Sequence, residues 1–116
     1  DIKKGRTNVV DPNQFIQCAL LNLENNQTFK AHKHIWKEIS HPVIAQESWV
    51  VIEGKVKVFF YDLDDSLIKT DILRPGDASF TLEGGHNYQA IKENTLVYEF
   101  KTGPYLGQEF DKEIIK

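Results

Sequence analysis

Two histidines separated by one residue, His32 and His34, are the first side chains whose types and spacing indicate chemistry. Residues 28–35 have the composition of a β-strand, and in a strand residues i and i+2 point to the same face. Both imidazoles are therefore expected on one face, with Lys33 on the other. Paired imidazoles are the start of many metal sites, although histidine is also common at half-buried strand positions without a metal. The pair alone leaves both interpretations open.

A carboxylate and a third imidazole later in the chain could complete such a site. Glu47 lies at the start of a strongly β-prone run, residues 45–52, and His86 follows two glycines at the start of another strand. The period of two places Trp49 on the face of Glu47 and Tyr88 on the face of His86. A mixed nitrogen and oxygen donor set of this kind suits a divalent transition metal (Fe, Mn, Ni, Co or Zn). One or two coordination positions would remain for water or a small-molecule ligand.

The elements that would position these side chains are short strands. Turn signals recur every 8 to 12 residues, and no long amphipathic helix is indicated, which predicts an all-β sandwich or barrel. A jelly roll is favoured over an immunoglobulin-type sandwich, because the Cys…Trp…Cys spacing of the latter is absent. We expect three hairpins, formed by residues 15–23 with 28–35, residues 45–52 with 55–62, and residues 87–91 with 95–101.

Length and composition limit the classes of function. The 116 residues suffice for one domain, which we assign to residues 14–116 after a polar N-terminal arm, residues 1–13. A net charge of -3 provides no basic surface for nucleic acid. No apolar run approaches the roughly 20 residues that cross a bilayer. The single cysteine, Cys18, excludes an intrachain disulfide and agrees with a cytoplasmic location.

From residue 28 to residue 98 the sequence resembles the cupin family. The histidine pair and Glu47, which stands six residues before Gly54, are similar to the first cupin motif. The segment Pro75-Gly76-Asp77 and His86 are similar to the second motif. The resemblance implies a double-stranded β-helix (jelly-roll) barrel with a metal held by His32, His34, Glu47 and His86, and a homodimer.

The sequence departs from the cupin pattern in several places. Twelve residues separate His34 from Glu47, where the short form of the motif has three or four. Leu82 replaces an expected proline, and Ala90 an expected asparagine. The insertion, residues 35–46, is expected at the mouth of the barrel and to determine specificity.

Further side chains are candidates for ligand contact or proton transfer. Tyr88 and His41 are the proton-transfer candidates, with a core aromatic and an exposed loop histidine as the respective alternatives. Trp49, Trp36 and Tyr98 are candidate ligand contacts, although Trp49 and Tyr98 could equally fill the core.

Three functions remain open at this point. The leading hypothesis is a small metal-dependent cupin that binds or transforms a small oxygen-bearing ligand, with carbohydrate-derived compounds preferred by analogy. As an enzyme it would be a metal-dependent isomerase or dioxygenase. The alternatives are a non-catalytic metal- or ligand-binding module and a metal-free sugar-nucleotide epimerase or isomerase. Three histidines and a glutamate at ligand spacing argue against the metal-free enzyme, which has no need of them.

Overall fold

The structure is a computed structural model that describes residues 3–37, 43–104 and 112–115, and the secondary structure of this part is entirely β. No helix in the described part is long and apolar enough to cross a membrane. The strands are β1 (Gly5–Asn8), β2 (Ile16–Leu23), β3 (His32–His34), β4 (Trp36–Lys37), β5 (Val43–Ile44), β6 (Glu47–Glu53), β7 (Val56–Tyr61), β8 (Leu67–Leu73), β9 (Ala78–Thr81), β10 (Gly85–Ala90), β11 (Thr95–Thr102) and β12 (Lys112–Ile114).

The strands form two five-stranded antiparallel sheets and a small ribbon. Sheet one has the order β1-β2-β11-β6-β9, sheet two has the order β12-β3-β10-β7-β8, and β4 pairs only with β5. From β2 onward most successive long strands alternate between the two sheets, which is the winding of a double-stranded β-helix. The predicted all-β jelly-roll barrel is therefore confirmed.

The three expected hairpins are wrong, although the strands themselves were placed well. Strands β2, β6 and β11 belong to sheet one, whereas β3, β7 and β10 belong to sheet two. The three corners each contain a residue with positive φ: Asn26 at 68°, Gly54 at 84° and Asn94 at 55°. These residue types tolerate a left-handed conformation and so allow a sharp reversal. At each corner the chain crosses to the facing sheet. It does not return as a hairpin within the same sheet.

The polar N-terminal arm contributes an edge strand. Strand β1 lies within this arm, from Gly5 to Asn8. It pairs with β2 from Gly5 opposite Asn22 to Asn8 opposite Ala19. Arg6 is thereby brought to the side of sheet one that faces the barrel interior.

The interior divides into an apolar part and a polar part. The apolar core contains Ala19, Leu21, Leu23, Trp49, Val51, Val56, Val58, Leu73, Tyr88, Ala90 and Val97. The polar part lies toward the other end of β6, where Glu47 is opposite Thr81 of β9 and Lys101 of β11. Along β6 the alternation is regular, because Glu47, Trp49 and Val51 are buried while Ser48 and Val50 are not. The period of two therefore places the carboxylate of Glu47 inside the barrel.

Candidate metal centre

Three buried side chains from the two facing sheets meet in the polar part of the barrel. His32 of β3 and His86 of β10 are direct partners across sheet two. Glu47 reaches them from β6 of sheet one. The exposed fractions are 7% for His32, 8% for Glu47 and 0% for His86.

The separations between the donor atoms are those of neighbouring metal ligands. Nε2 of His86 lies 3.0 Å from Oε2 of Glu47 and 3.1 Å from Nε2 of His32. One donor atom from each of the three residues lies within 4.8 Å of the others. Two ligand atoms at right angles around a metal, with bonds of about 2.1 Å, are about 3.0 Å apart. The donor set therefore fits a divalent transition metal in both chemistry and spacing.

Hydrogen bonds on the far side of each imidazole direct Nε2 toward the cluster. Nδ1 of His32 lies 2.8 Å from the carbonyl oxygen of Lys30. Because a carbonyl only accepts hydrogen bonds, this nitrogen carries the proton, which leaves the lone pair of the neutral ring on Nε2. Nδ1 of His86 lies 2.6 Å from Oγ1 of Thr81. Outer contacts of this kind fix the orientation and tautomer of metal-binding histidines.

A buried tyrosine lies directly behind His86. The hydroxyl of Tyr88 is 2.9 Å from Oγ of Ser79 and 3.4 Å from Nδ1 of His86. Burial, together with the charge of Glu47, raises the pKa of Tyr88 far above its ordinary value. The phenol therefore remains protonated at neutral pH. Its ring stacks on Trp49 with the centroids 3.8 Å apart and the planes 2° from parallel.

A pocket of about 290 Å³ opens onto the cluster and contains a second buried carboxylate. Its lining residues are Arg6, Phe29, Lys30, His32, Glu47, Trp49, Tyr88, Glu99, Lys101 and Ile114. Nη2 of Arg6 donates to both carboxylate oxygens of Glu99, at 2.8 and 2.9 Å. Nε1 of Trp49 donates to Oε2 of the same carboxylate at 3.2 Å. These contacts hold the indole in the pocket wall.

The structure brings together most of the predicted site residues that it describes. His32, Glu47 and His86 converge, and Trp49 and Tyr88 line the adjoining pocket. Tyr98 does not line this pocket; it is 38% exposed on the outer face of sheet one, because its neighbour Glu99 takes the inward position.

Three other predicted residues stay predictions. His34 lies in β3 and Trp36 in β4, but their side chains are outside the described part of the structure. His41 lies outside the described residues altogether.

Several residues of the site were not anticipated from the sequence. Ser79 and Thr81 alternate with exposed Ala78 and Phe80, and this period of two could have placed both hydroxyls inside the barrel. The same argument from Val97 would have placed Glu99 inside. No sequence signal marks Arg6, which lies in a polar segment and reaches the site only through strand pairing.

The comparisons with known proteins identify the fold. No protein-family model matches the sequence, and neither does any curated protein. Among solved structures, oxalate decarboxylase from Bacillus subtilis matches 98% of the chain with a TM-score of 0.71 and 16% identity. KdgF from a Halomonas species matches 87% of it, with a TM-score of 0.65 and 16% identity. A cupin-2 domain containing protein from Shewanella frigidimarina matches 88%, with a TM-score of 0.59 and 17% identity. The chain has the cupin fold.

The extent of the match differs among these cupins. The chain spans 29% of the oxalate decarboxylase chain, 79% of KdgF and 83% of the Shewanella protein. At identities of 16 to 17% the likeness is one of fold. Function must therefore be argued from the residues of the site.

Proposed function

We propose that the protein is a metal-dependent cupin that binds or transforms a small oxygen-bearing ligand. The metal ligands in this proposal are His32, Glu47 and His86, with His34 as the fourth ligand expected from its place in β3. The observation that carries the proposal is the convergence of two imidazole nitrogens and a carboxylate oxygen in a buried site. The Nδ1 contacts of both rings support it, because they leave Nε2 directed at a common point.

The chemistry follows from the donor set and the surrounding residues. A divalent iron, manganese, nickel, cobalt or zinc ion at these donors would act as a Lewis acid on a ligand oxygen. Trp49 and Phe29, whose rings pack edge to face at 5.7 Å, form the apolar wall that limits water near the ligand. The hydroxyl of Tyr88, which stays protonated, contacts Ser79 and Nδ1 of His86, and so supports that imidazole from the side away from the cluster.

We propose carbohydrate-derived compounds as the preferred ligand class. The pocket presents both an aromatic wall and charged groups, which suits a compound that carries C–H surfaces and several oxygens. If the protein is an enzyme, such as a metal-dependent isomerase or dioxygenase, Tyr88 and His41 are the candidates for proton transfer.

Metal content is the direct test of the proposal. Protein purified without added metal, or reloaded with Co(II) or Zn(II) after chelation, should contain close to one ion per chain by elemental analysis. His86→Ala and Glu47→Gln should lose the ion and retain a β-type circular dichroism spectrum. Glu53→Gln is the matched control, because Glu53 is an exposed residue at the other end of the same strand. A folded wild-type protein that cannot be loaded would contradict the proposal.

We also propose a homodimer formed through the outer face of sheet one. Phe80 of β9 is 68% exposed on this face, and the neighbouring rings of Tyr98 and Phe100 lie on β11, with β6 between the two strands. Two rows of outward positions across the sheet carry no charge: Cys18, Phe100, Ser48 and Phe80, and Leu20, Tyr98, Val50 and Ala78. An uncharged apolar patch suits an isologous contact, in which the same surface is buried on both copies. The cytoplasmic location stays a prediction.

A further inference from the structure

A second pocket lies between the end strands of the two sheets. In the described part of the chain, β9 is the last strand of sheet one and β8 is the last strand of sheet two. The pocket between them has a volume of about 460 Å³, which is in the range of small-molecule sites. It shares no lining residue with the pocket at the metal cluster. It is therefore a separate candidate binding site.

Strand pairing places two charged side chains of β8 on the inner face of sheet two. Lys69 is directly opposite Phe60 and Asp71 is directly opposite Val58, and both partners pack in or against the core. Opposite residues of an antiparallel pair point to the same face. Glu83, two residues after β9, adds a second carboxylate to the lining. The carboxylates outnumber the ammonium group, so the pocket favours a cation over a neutral molecule of similar shape.

Aromatic rings add a second attraction for cations. Phe60, Tyr61 and Phe80 line the pocket. The face of an aromatic ring attracts an ammonium group within about 6 Å, and proteins use this attraction to recognise quaternary ammonium compounds. Nζ of Lys69 lies 5.8 Å from the centroid of the Phe60 ring. The pocket therefore already holds one ammonium group on an aromatic ring, and the chain itself supplies it.

Two buried hydroxyl groups form the inner end of the pocket. Ser79 and Thr81 are 5% and 4% exposed, and both line it. Oγ of Ser79 contacts the hydroxyl of Tyr88, and Oγ1 of Thr81 contacts Nδ1 of His86. A hydroxyl group has one donor and two acceptor positions, so each of them can form a further hydrogen bond. The inner end of the pocket therefore suits a hydroxyl group of a ligand.

We propose that this pocket binds a small organic ammonium ion that also carries a hydroxyl group, that is, an amino alcohol of about the size of choline. The ammonium group lies against Phe60, near the carboxylates of Asp71 and Glu83. The hydroxyl group lies at the inner end, where Ser79 and Thr81 accept or donate hydrogen bonds. The inference goes beyond the proposed function, because none of the proposed metal ligands lines this pocket.

Binding of choline and of 3,3-dimethyl-1-butanol, measured by NMR titration of the backbone amides, tests the inference. The two probes have the same shape and the same hydroxyl group, but choline has a charged nitrogen where the alcohol has a carbon. The wild type should prefer choline by about fivefold or more, and the amides of β8 and β9 should shift. The preference should weaken as the salt concentration rises, because Asp71 and Glu83 are exposed.

Two pairs of variants identify the groups that attract the cation. Asp71→Asn/Glu83→Gln should lose the preference for choline. Asp62→Asn/Glu53→Gln changes the net charge equally at exposed carboxylates outside the pocket lining, and should keep the preference. Asp62 is a close match for Asp71, because each accepts a hydrogen bond from the backbone N–H of the next residue.

Replacement of Lys69 should have the opposite effect. Lys69→Met removes the ammonium group and keeps an apolar side chain, so the face of Phe60 becomes available and the repulsion of a second cation is lost. Choline should then bind about threefold more tightly. Lys57→Met is the control, because Nζ of Lys57 lies 5.1 Å from the centroid of Phe59, outside the pocket lining. It should leave the affinity for choline unchanged.

Three results would overturn the inference: equal binding of the two probes by the wild type, a preference for choline that survives in Asp71→Asn/Glu83→Gln, or an affinity for choline that does not rise in Lys69→Met. The titrations are repeated on Co(II)-loaded and on chelated protein. The same preference in both forms supports a site that is separate from the metal cluster. A preference that requires Co(II) would show that choline binds at the cluster and would also overturn the inference.

Discussion

The two faces of sheet one reverse the usual distribution of polar and apolar residues at one end of the barrel. On the inner face, Glu47 is buried within the proposed metal site, and Glu99 is buried in the pocket beside it. On the outer face, Phe80 and Phe100 are exposed to solvent. An antiparallel sheet with one solvated face ordinarily shows the opposite pattern, with apolar residues inside and polar residues outside.

This difference between the two faces indicates what each face of sheet one binds. A buried carboxylate is costly unless it is paired or bound to a metal. Glu99 is paired with Arg6, and Glu47 contacts His86 in the proposed metal site. A contiguous apolar patch on the outside of a protein commonly marks a surface that binds another surface. The inner face therefore has the character of a ligand site, and the outer face has the character of an interface.

The largest expected effect is on the free energy of unfolding, and it distinguishes the inner aromatic residues of sheet one from the outer ones. Trp49 is 2% exposed and packs on Tyr88, so Trp49→Ala should lower the free energy of unfolding by about 3–5 kcal/mol. Phe80→Ala on the outer face should change it by about 0.5 kcal/mol or less in dilute protein, where the chain is monomeric. Urea unfolding measures both. Equal losses for the two variants would show that the outer face is part of the core.

The next effect tests whether Thr81 positions His86. Thr81→Val keeps the shape of the side chain and removes the hydroxyl that contacts Nδ1 of His86. Metal affinity should fall by about ten- to one-hundredfold, as for other outer contacts of metal-binding histidines. Thr81→Ser restores the hydroxyl and should restore affinity. Titration against a chromophoric chelator gives the values. Equal affinities of the Val and Ser variants would rule out the positioning role.

A moderate effect is expected on dimerisation. Phe80→Ser should raise the dimer dissociation constant by about tenfold or more, because it removes the most exposed aromatic side chain of this patch. Leu67→Ser is the control, since Leu67 is 53% exposed on sheet two. Sedimentation velocity over a concentration series measures the constants. A wild type that remains monomeric throughout the series, or equal shifts in the two variants, would refute the proposed interface.

The smallest effect concerns a carboxylate outside the barrel. The backbone N–H of Asn25 and the side chain of Lys4 lower the pKa of Glu93 below its ordinary value of 4.5. Because the folded state holds the ionised form more strongly, Glu93 contributes stability above the unfolded pKa, and that contribution is lost as pH falls through the folded pKa.

Glu93→Gln should therefore lower the melting temperature slightly at neutral pH and leave it unchanged in strong acid. Thermal unfolding of both proteins at the two pH values measures the difference. A larger decrease in acid than at neutral pH would contradict the assigned direction. The change in melting temperature should be smaller for Glu93→Gln than for replacement of the buried Glu47. The difference would show how much burial increases the contribution of a carboxylate to stability.

The strands and the inward positions could be predicted from the sequence. The period of two correctly placed Trp49 on the face of Glu47 and Tyr88 on the face of His86, because neighbouring positions along a strand necessarily alternate between faces. Ser79, Thr81 and Glu99 follow the same rule. Their residue types are mostly exposed in proteins, so composition alone does not predict that they are buried.

The assignment of strands to sheets could not be derived from local turn residues. Asn26, Gly54 and Asn94 allow the chain to reverse, and the same backbone conformation serves a hairpin or a crossing between sheets. The choice depends on pairings between distant strands, such as β2 with β11. For the same reason Arg6 could not be linked to Glu99, since 93 residues separate them in the chain.

The three donor side chains come from different sheets, and this has a consequence for the stability of the protein. His32 and His86 belong to sheet two and Glu47 belongs to sheet one, so a bound ion would act as a cross-link between the two layers. Any species that binds only the folded state shifts the folding equilibrium toward it. Resistance to heat and proteolysis should therefore rise with metal supply, and a shortage of metal should shorten the survival of the chain as well as empty its site.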